Sequence, residues 1–136
     1  MLKRLKEKEE RIAEVLTALA EESVKGTPIL VEGKKDVEAL RTLGIEGPVI
    51  SVKTGGKSFL EVVSELEKSK TSRVILFLDF DRRGKEGTRR LKLNLERVKI
   101  KVDIEFWRAL SRLAGKDIQC VEGLTAYLEK LRTKIV

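Results

Sequence analysis

The strongest constraint on this chain is a cycle that recurs along it: a short apolar run, a turn marked by glycine or charge, then apolar residues at helical spacing. Ile29, Leu30 and Val31 make the first run, halted by Glu32 and Gly33, and a helical pattern over residues 36–43 follows and is closed by Gly44. Residues 49–52 form the second run, residues 53–56 a loop, and Phe59, Val62, Val63 and Leu66 the inward stripe of the next helix. Residues 74–78 are continuously apolar, the pattern of a strand covered on both faces, and a helix with Leu91 and Leu95 inward comes after Gly87. A fourth strand is expected over residues 98–102, where Ile100 and Val102 alternate with Lys99 and Lys101. Strands separated by helices of this length pair in parallel through right-handed crossovers. The fold class is therefore α/β, with a mainly parallel four-stranded sheet flanked by helices.

Around that core, residues 28–103, two helical regions are expected. An amphipathic helix over residues 3–24 places Leu5, Ile12, Val15, Leu16, Leu19 and Ala20 on one stripe. Residues 104–134 carry Phe106, Trp107, Leu110 and Leu113, then Leu124, Leu128 and Leu131, at the same spacing. With no linker, repeat or low-complexity segment, 136 residues read as one domain, with the first helix available to pair two copies or to meet a partner protein.

The inventory of side chains excludes several chemistries. There is one cysteine, Cys120, and no histidine, which removes disulfide scaffolds, the usual zinc sites and His-based triads or dyads. Any reaction must run on carboxylates, lysines, arginines and hydroxyls. The charged start of the chain and the lack of a long apolar stretch predict a cytoplasmic protein with no membrane association. A net charge of +7 favours polyanionic partners. Its distribution is uneven: Arg82, Arg83, Lys85, Arg89, Arg90, Lys92, Arg97, Lys99 and Lys101 stand against only Glu86 and Glu96. That one window carries the excess of the whole chain.

In open parallel sheets the ligand sits beyond the carboxyl ends of the strands, where strand order reverses. Glu32 ends the first expected strand, and Gly33 after it leaves room for a close approach because it lacks a Cβ. Asp79 and Asp81 end the third, and because residues two apart on a strand point the same way, their carboxylates share one face while Phe80 turns to the other. Adjacent carboxylates repel each other unless a cation lies between them. Oxygen donors with no imidazole or thiolate partner select Mg²⁺, or Mn²⁺, over zinc or copper. Taken alone, an Asp-x-Asp pair more often caps a helix and starts a turn; here it follows five apolar residues and precedes a basic helix.

These residues carry a family resemblance. Ile29-Leu-Val-Glu-Gly-Lys-Lys-Asp36, followed by Ala39 and Leu40, resembles the glutamate motif of Toprim domains, and Leu78-Asp-Phe-Asp-Arg-Arg-Gly84 resembles their Asp-x-Asp-x-x-Gly motif. Toprim domains occur in type IA and type II topoisomerases, bacterial-type primases, OLD-family nucleases, recombination mediators and the ribonucleases that mature ribosomal RNA. Cys120-Val-Glu-Gly-Leu124 is also similar to a late segment of those ribonucleases, and the likeness is nearest to small stand-alone Toprim proteins of archaea and bacteria. The resemblance implies a Toprim fold, Glu32 as general acid or base, Asp79 and Asp81 as magnesium ligands, and RNA or DNA as partner. Asp36 is either a supporting partner of Glu32 or a helix N-terminal acid. Lys34, Lys35, Arg82 and Arg83 are candidates for phosphate contacts, and Gly84 permits the turn after the aspartates. Glu122 reads as a surface glutamate at a helix start rather than an extra acid.

The expected activity is Mg²⁺-dependent processing of nucleic-acid phosphodiesters, as a nuclease or a component of RNA processing, replication or repair. The alternative is a Toprim scaffold that binds nucleic acid without turnover. The lone Tyr127 sits in an apolar helical stripe and reads as packing, which argues against topoisomerase activity by this chain. Primase modules have no room here. A P-loop is approximated by Ser51-Val-Lys-Thr-Gly-Gly-Lys-Ser58, but the first glycine is missing, so nucleotide hydrolysis is the weaker reading. Gly55, Gly56 and Lys57 remain candidates for a phosphate at a helix N-terminus.

Overall fold

A computed structural model of the chain describes residues 1–53 and 58–135. Four strands, β1 (Ile29–Val31), β2 (Val49–Ser51), β3 (Arg73–Leu76) and β4 (Lys101–Asp103), form one sheet in the order β2-β1-β3-β4, and every pairing is parallel. The connections are helical: α2 (Lys34–Thr42), α3 (Phe59–Lys68) and α4 (Arg82–Arg97). Helix α1 (Leu2–Val24) precedes the sheet, and α5 (Glu105–Ala114), a 3₁₀ turn (Val121–Gly123) and α6 (Leu124–Ile135) follow it. No helix among the described residues is long and apolar enough to cross a membrane.

Alternation along the central strands divides the core into two layers. Ile29, Val31, Ile75 and Phe77 face α1, α2, α5 and α6, whereas Leu30, Val74, Leu76 and Leu78 face α3 and α4. Both faces of β1 and β3 are covered, as the continuous apolar run 74–78 predicts for β3. Helix α1 places Ile12, Leu16 and Leu19 in the first layer, against α5 and α6, so most of its stripe is covered within the chain. Its C-terminal end is tied to the end of the sheet where strands begin. Arg73 at the start of β3 bridges Glu22 at 3.4 Å and Asp103 at 2.7 Å, and Ser23 Oγ accepts from the Gly47 N–H at 2.9 Å, just before β2.

Three boundaries differ from the sequence expectation, each for a local reason. The ladder of β3 stops at Leu76 instead of residue 78, so Asp79 and Asp81 do not lie on a strand and the same-face argument for them fails. Helix α4 starts at Arg82, well before Gly87, because Asp81 Oδ1 accepts from the Gly84 N–H at 2.8 Å and caps it. Residues 98–100 belong to the exit of α4, with Lys99 in the left-handed region at φ 69°, and β4 begins only at Lys101.

Candidate functional site

The strand order places a switch between β1 and β3. From β1 the chain crosses outward to β2 and then returns to the other side of β1 to form β3. Glu32 leaves β1 and Asp79 leaves β3, so the crevice of a parallel sheet opens between them. A cleft of about 380 Å³ lies there, with Glu32, Asp79, Asp81, Asp36, Lys53 and Glu122 among its lining residues. Gly33, Lys34, Lys35 and Arg83 also line it. Arg82 points outward and pairs with Glu86 at 3.4 Å. Gly55, Gly56 and Lys57 lie outside the described residues, as does Thr54 of the P-loop-like segment; Ser58 at its end caps α3, accepting from the Glu61 N–H at 3.2 Å.

Backbone register explains which acids meet. The β1–β2 ladder continues past the strands through Val52 N–H to Val31 O at 2.9 Å and Lys53 N–H to Glu32 O at 3.2 Å. This sets Lys53 beside Glu32, and its ammonium donates to Oε1 at 2.6 Å. Across the switch point, the Glu32 and Asp79 carboxyls share a hydrogen bond. Burial raises the Asp79 pKa to about 7, helped by the neighbouring charges of Glu32 and Asp36 and opposed by the Val121 N–H. Burial pushes Glu32 the same way, but Lys53 and Asp79 outweigh it and hold its pKa below the usual carboxylate value. The pair thus keeps one proton near neutrality, on the Asp79 side, because Lys53 stabilises the charge on Glu32.

The two motifs bring Glu32, Asp79 and Asp81 to one cleft but not into one ligating cluster. Among the described residues no group of three acidic or cysteine side chains stands close enough to ligate one ion. Glu32 and Asp79 meet, while Asp81 lines the same cleft with one oxygen engaged on the N-terminus of α4. A hard dication needs only one or two carboxylates, with water and phosphate completing its shell. The all-oxygen donor set and the proton shared by two acids fit such an ion, since a cation would replace that proton.

The C-terminal segment locks this arrangement, and sequence reasoning missed it. The buried Trp107 indole N–H donates to Leu78 O at 2.9 Å, and Phe80 N–H donates to Gln119 O at 2.7 Å. Successive amides of the 3₁₀ turn then take one acid each: Val121 N–H donates to Asp79 Oδ1 at 3.1 Å, and Glu122 N–H to Asp36 Oδ1 at 3.1 Å. Asp36 is buried, and its other oxygen accepts from the Gly33 N–H at 2.9 Å. It therefore joins the turn after Glu32 to the turn that holds Asp79. Lys53 was also missed, because its place beside Glu32 comes from sheet register and not from any motif. Replacing Trp107 with phenylalanine should leave the Leu78 carbonyl without its buried donor and lower stability by about 1–2 kcal/mol in chemical denaturation. An unchanged midpoint would show that the indole does not hold this segment.

The surroundings of the cleft are basic and poor in exposed aromatics. Phe77, Phe80 and Trp107 are buried, and the Arg90 guanidinium lies 6.0 Å over the Phe59 ring. Tyr127 is half-buried with its hydroxyl donating to Asp117 Oδ2 at 2.7 Å.

Comparison with known proteins agrees with the motifs. A Toprim domain family model matches residues 26–105. The UPF0292 protein of Methanosarcina barkeri is 36% identical over 126 residues, covering 92% of this chain and 85% of that protein. The UPF0292 protein of Methanocaldococcus jannaschii is 34% identical over 122 residues, covering 89% and 92%. A solved structure of a protein from Aquifex aeolicus superposes with a TM-score of 0.68 at 32% identity, covering 80% of this chain and 94% of that one. Trp107, Gln119, Val121 and Glu122, which brace the acids, lie beyond the residues that the family model matches.

Proposed function

The chain belongs to the Toprim domain family, alongside the UPF0292 proteins, and from that premise we propose that it is a Mg²⁺-dependent processor of nucleic-acid phosphodiesters. Membership implies interaction with nucleic acid; the cleavage chemistry is our reading. The observation that carries it is the Glu32–Asp79 contact at the switch point, beneath an open cleft flanked by Lys34, Lys35 and Arg83.

In this reading Asp79, with the free oxygen of Asp81, holds the ion. When bound, Mg²⁺ neutralises charge on a phosphoryl oxygen and orients the leaving group. Glu32, kept ionised by Lys53, takes the proton from the attacking hydroxyl or water and returns it to the leaving oxygen. Lys34, Lys35 and Arg83 draw the backbone phosphate into the cleft, and the amides of Val121 and Glu122 keep the carboxylates in place. Incubation of end-labelled RNA and DNA with and without Mg²⁺ tests the proposal. Metal-dependent shortening is expected, and binding without any cleavage would favour the second reading, a non-catalytic scaffold. That reading draws on the Gly84 N–H engaging one oxygen of Asp81, and on the lack of a ligating group of three acids among the described residues.

A pH dependence follows from the Asp79 shift. Metal must displace the proton that this carboxyl keeps up to about pH 7, so Mg²⁺ affinity should rise roughly tenfold per pH unit below neutrality and level off above it. Without metal, the folded state holds that proton more tightly than the unfolded chain. This group's contribution to stability is therefore present at low pH and declines between about pH 4 and about pH 7. Thermal melts at pH 5.5 and pH 8, each with and without Mg²⁺, read both effects. An equal Mg²⁺ shift at both values would remove Asp79 from the metal site.

A further inference from the structure

Resting on the reading above, we propose that a second basic cleft, between the start of α1 and the end of α5, binds the phosphate backbone of the same polynucleotide that enters the acidic site. Arg4, Lys8, Arg11, Arg112 and Lys116 line this cleft of about 340 Å³ against two carboxylates. One of the two, Asp117, is already engaged, accepting from Lys8 at 3.2 Å and from Tyr127 at 2.7 Å. Arg4, Arg11, Arg112 and Lys116 are exposed and make no ion pair among the described residues. Four cations held near one another, against the single unengaged carboxylate of Glu7, raise the local concentration of a polyanion.

Topology decides where this cleft lies. The C-terminal end of α1 is fixed at the strand-start end of the sheet by Glu22 and Ser23. A helix of 23 residues runs about 35 Å, far longer than these short strands, so its first turns reach the opposite end, where the acids are. There Lys8 meets Asp117. Two residues on, Gln119 O accepts from Phe80 N–H, and Val121 N–H donates to Asp79. The basic cleft and the acid pair thus adjoin one segment, residues 117–121. On the other side of the acids, α4 starts at Arg82 and carries its own cations outward. A strand crossing the acidic site meets positive charge on both flanks. With the aromatics largely buried or engaged, that grip works through phosphates and not through base stacking.

The competing occupant is a second copy of this chain, since α1 presents Glu10, Glu14 and Glu21 along its outer face. The experiment measures binding of a labelled mixed-sequence RNA, and of the matching DNA, by the full chain in chelator across a salt series. It compares wild type with Arg112→Ala/Lys116→Ala and with Lys85→Ala/Arg89→Ala on α4. The first double variant should keep its melting temperature and lower the log–log salt slope by about 1.5, near the value for two lost phosphate contacts. The loss should be greater for a long oligonucleotide than for one too short to span both flanks. Unchanged affinity and slope in that variant, with the α4 variant weakened, would overturn this proposal alone. Failure of wild type to bind either polynucleotide would sink the parent reading as well. A concentration-dependent dimer abolished by Arg112→Ala/Lys116→Ala, with nucleic-acid binding intact, would assign the cleft to a second copy and overturn the proposal.

Discussion

Alanine in place of Gly84 is expected to destabilise the protein by about 2–4 kcal/mol, because the added methyl group meets backbone that has nowhere to go. A Cβ at this position falls inside the contact distance of the Asp79 carbonyl oxygen and carbon and lies 3.0 Å from its Cα. The obstruction is main chain, and the adjoining Leu78 and Phe80 are held by Trp107 and Gln119, so relief must come from moving α4 or Asp79 itself. Moving Asp79 separates it from Glu32 and moving α4 displaces its cap, Asp81, so metal response should fall together with stability. Gly87, one turn later, supplies the control. There a Cβ meets only the Leu78 and Phe59 side chains, at 3.3 Å and 3.5 Å, and the gain of alanine in a helix offsets that crowding to within about 1 kcal/mol. Denaturant titration of both variants, with Mn²⁺ binding followed alongside, distinguishes the two positions. A wild-type midpoint for Gly84→Ala would show that α4 is free to shift and that the glycine is not needed for the close approach.

The second large effect concerns Glu32. Glutamine keeps its shape but cannot accept a proton, so Glu32→Gln should lower Mg²⁺-dependent cleavage by about 10²–10⁴-fold while leaving polynucleotide affinity near wild type. Asp79→Asn should also abolish cleavage, by a different route with a different signature. It removes the carboxylate that exchanges its proton for metal, so the stabilisation by Mg²⁺ and its pH dependence should disappear together. In the absence of metal this variant should be at least as stable as wild type at pH 8, because the wild-type carboxyl is ionised there against its surroundings. Residual cleavage by Glu32→Gln within a few-fold of wild type would require another base. Loss of binding in the same variant would mean that Glu32 acts through Lys53 on the shape of the cleft, and not on a proton.

Sequence pattern and structure agree where the physics is local. The run 29–31 predicts a strand and the apolar run 74–78 a strand covered on both faces, and Leu30 and Leu76 are fully buried at matched register. Agreement weakens at boundaries, where caps compete with pattern. The reading of Asp79 and Asp81 as strand residues failed because the ladder ends at Leu76 and the backbone groups beyond it, Leu78 O and Phe80 N–H, are taken by Trp107 and Gln119. The glycine of the same motif was read as permission for a turn. Its reason is steric: Gly84 lies inside a helix, and the missing Cβ lets that helix press on the Asp79 backbone.

What the amino-acid order determined by itself was the kind of fold, the identity of the acids and the excess of positive charge, since each depends on short-range periodicity or on inventory. Tertiary structure alone decided which acids touch, that Lys53 neutralises Glu32, and that two amides from the C-terminal turn hold Asp79 and Asp36. Those contacts join residues 21 to 86 positions apart. They follow from strand order and sheet register, which arise only when both faces of the sheet are buried at once.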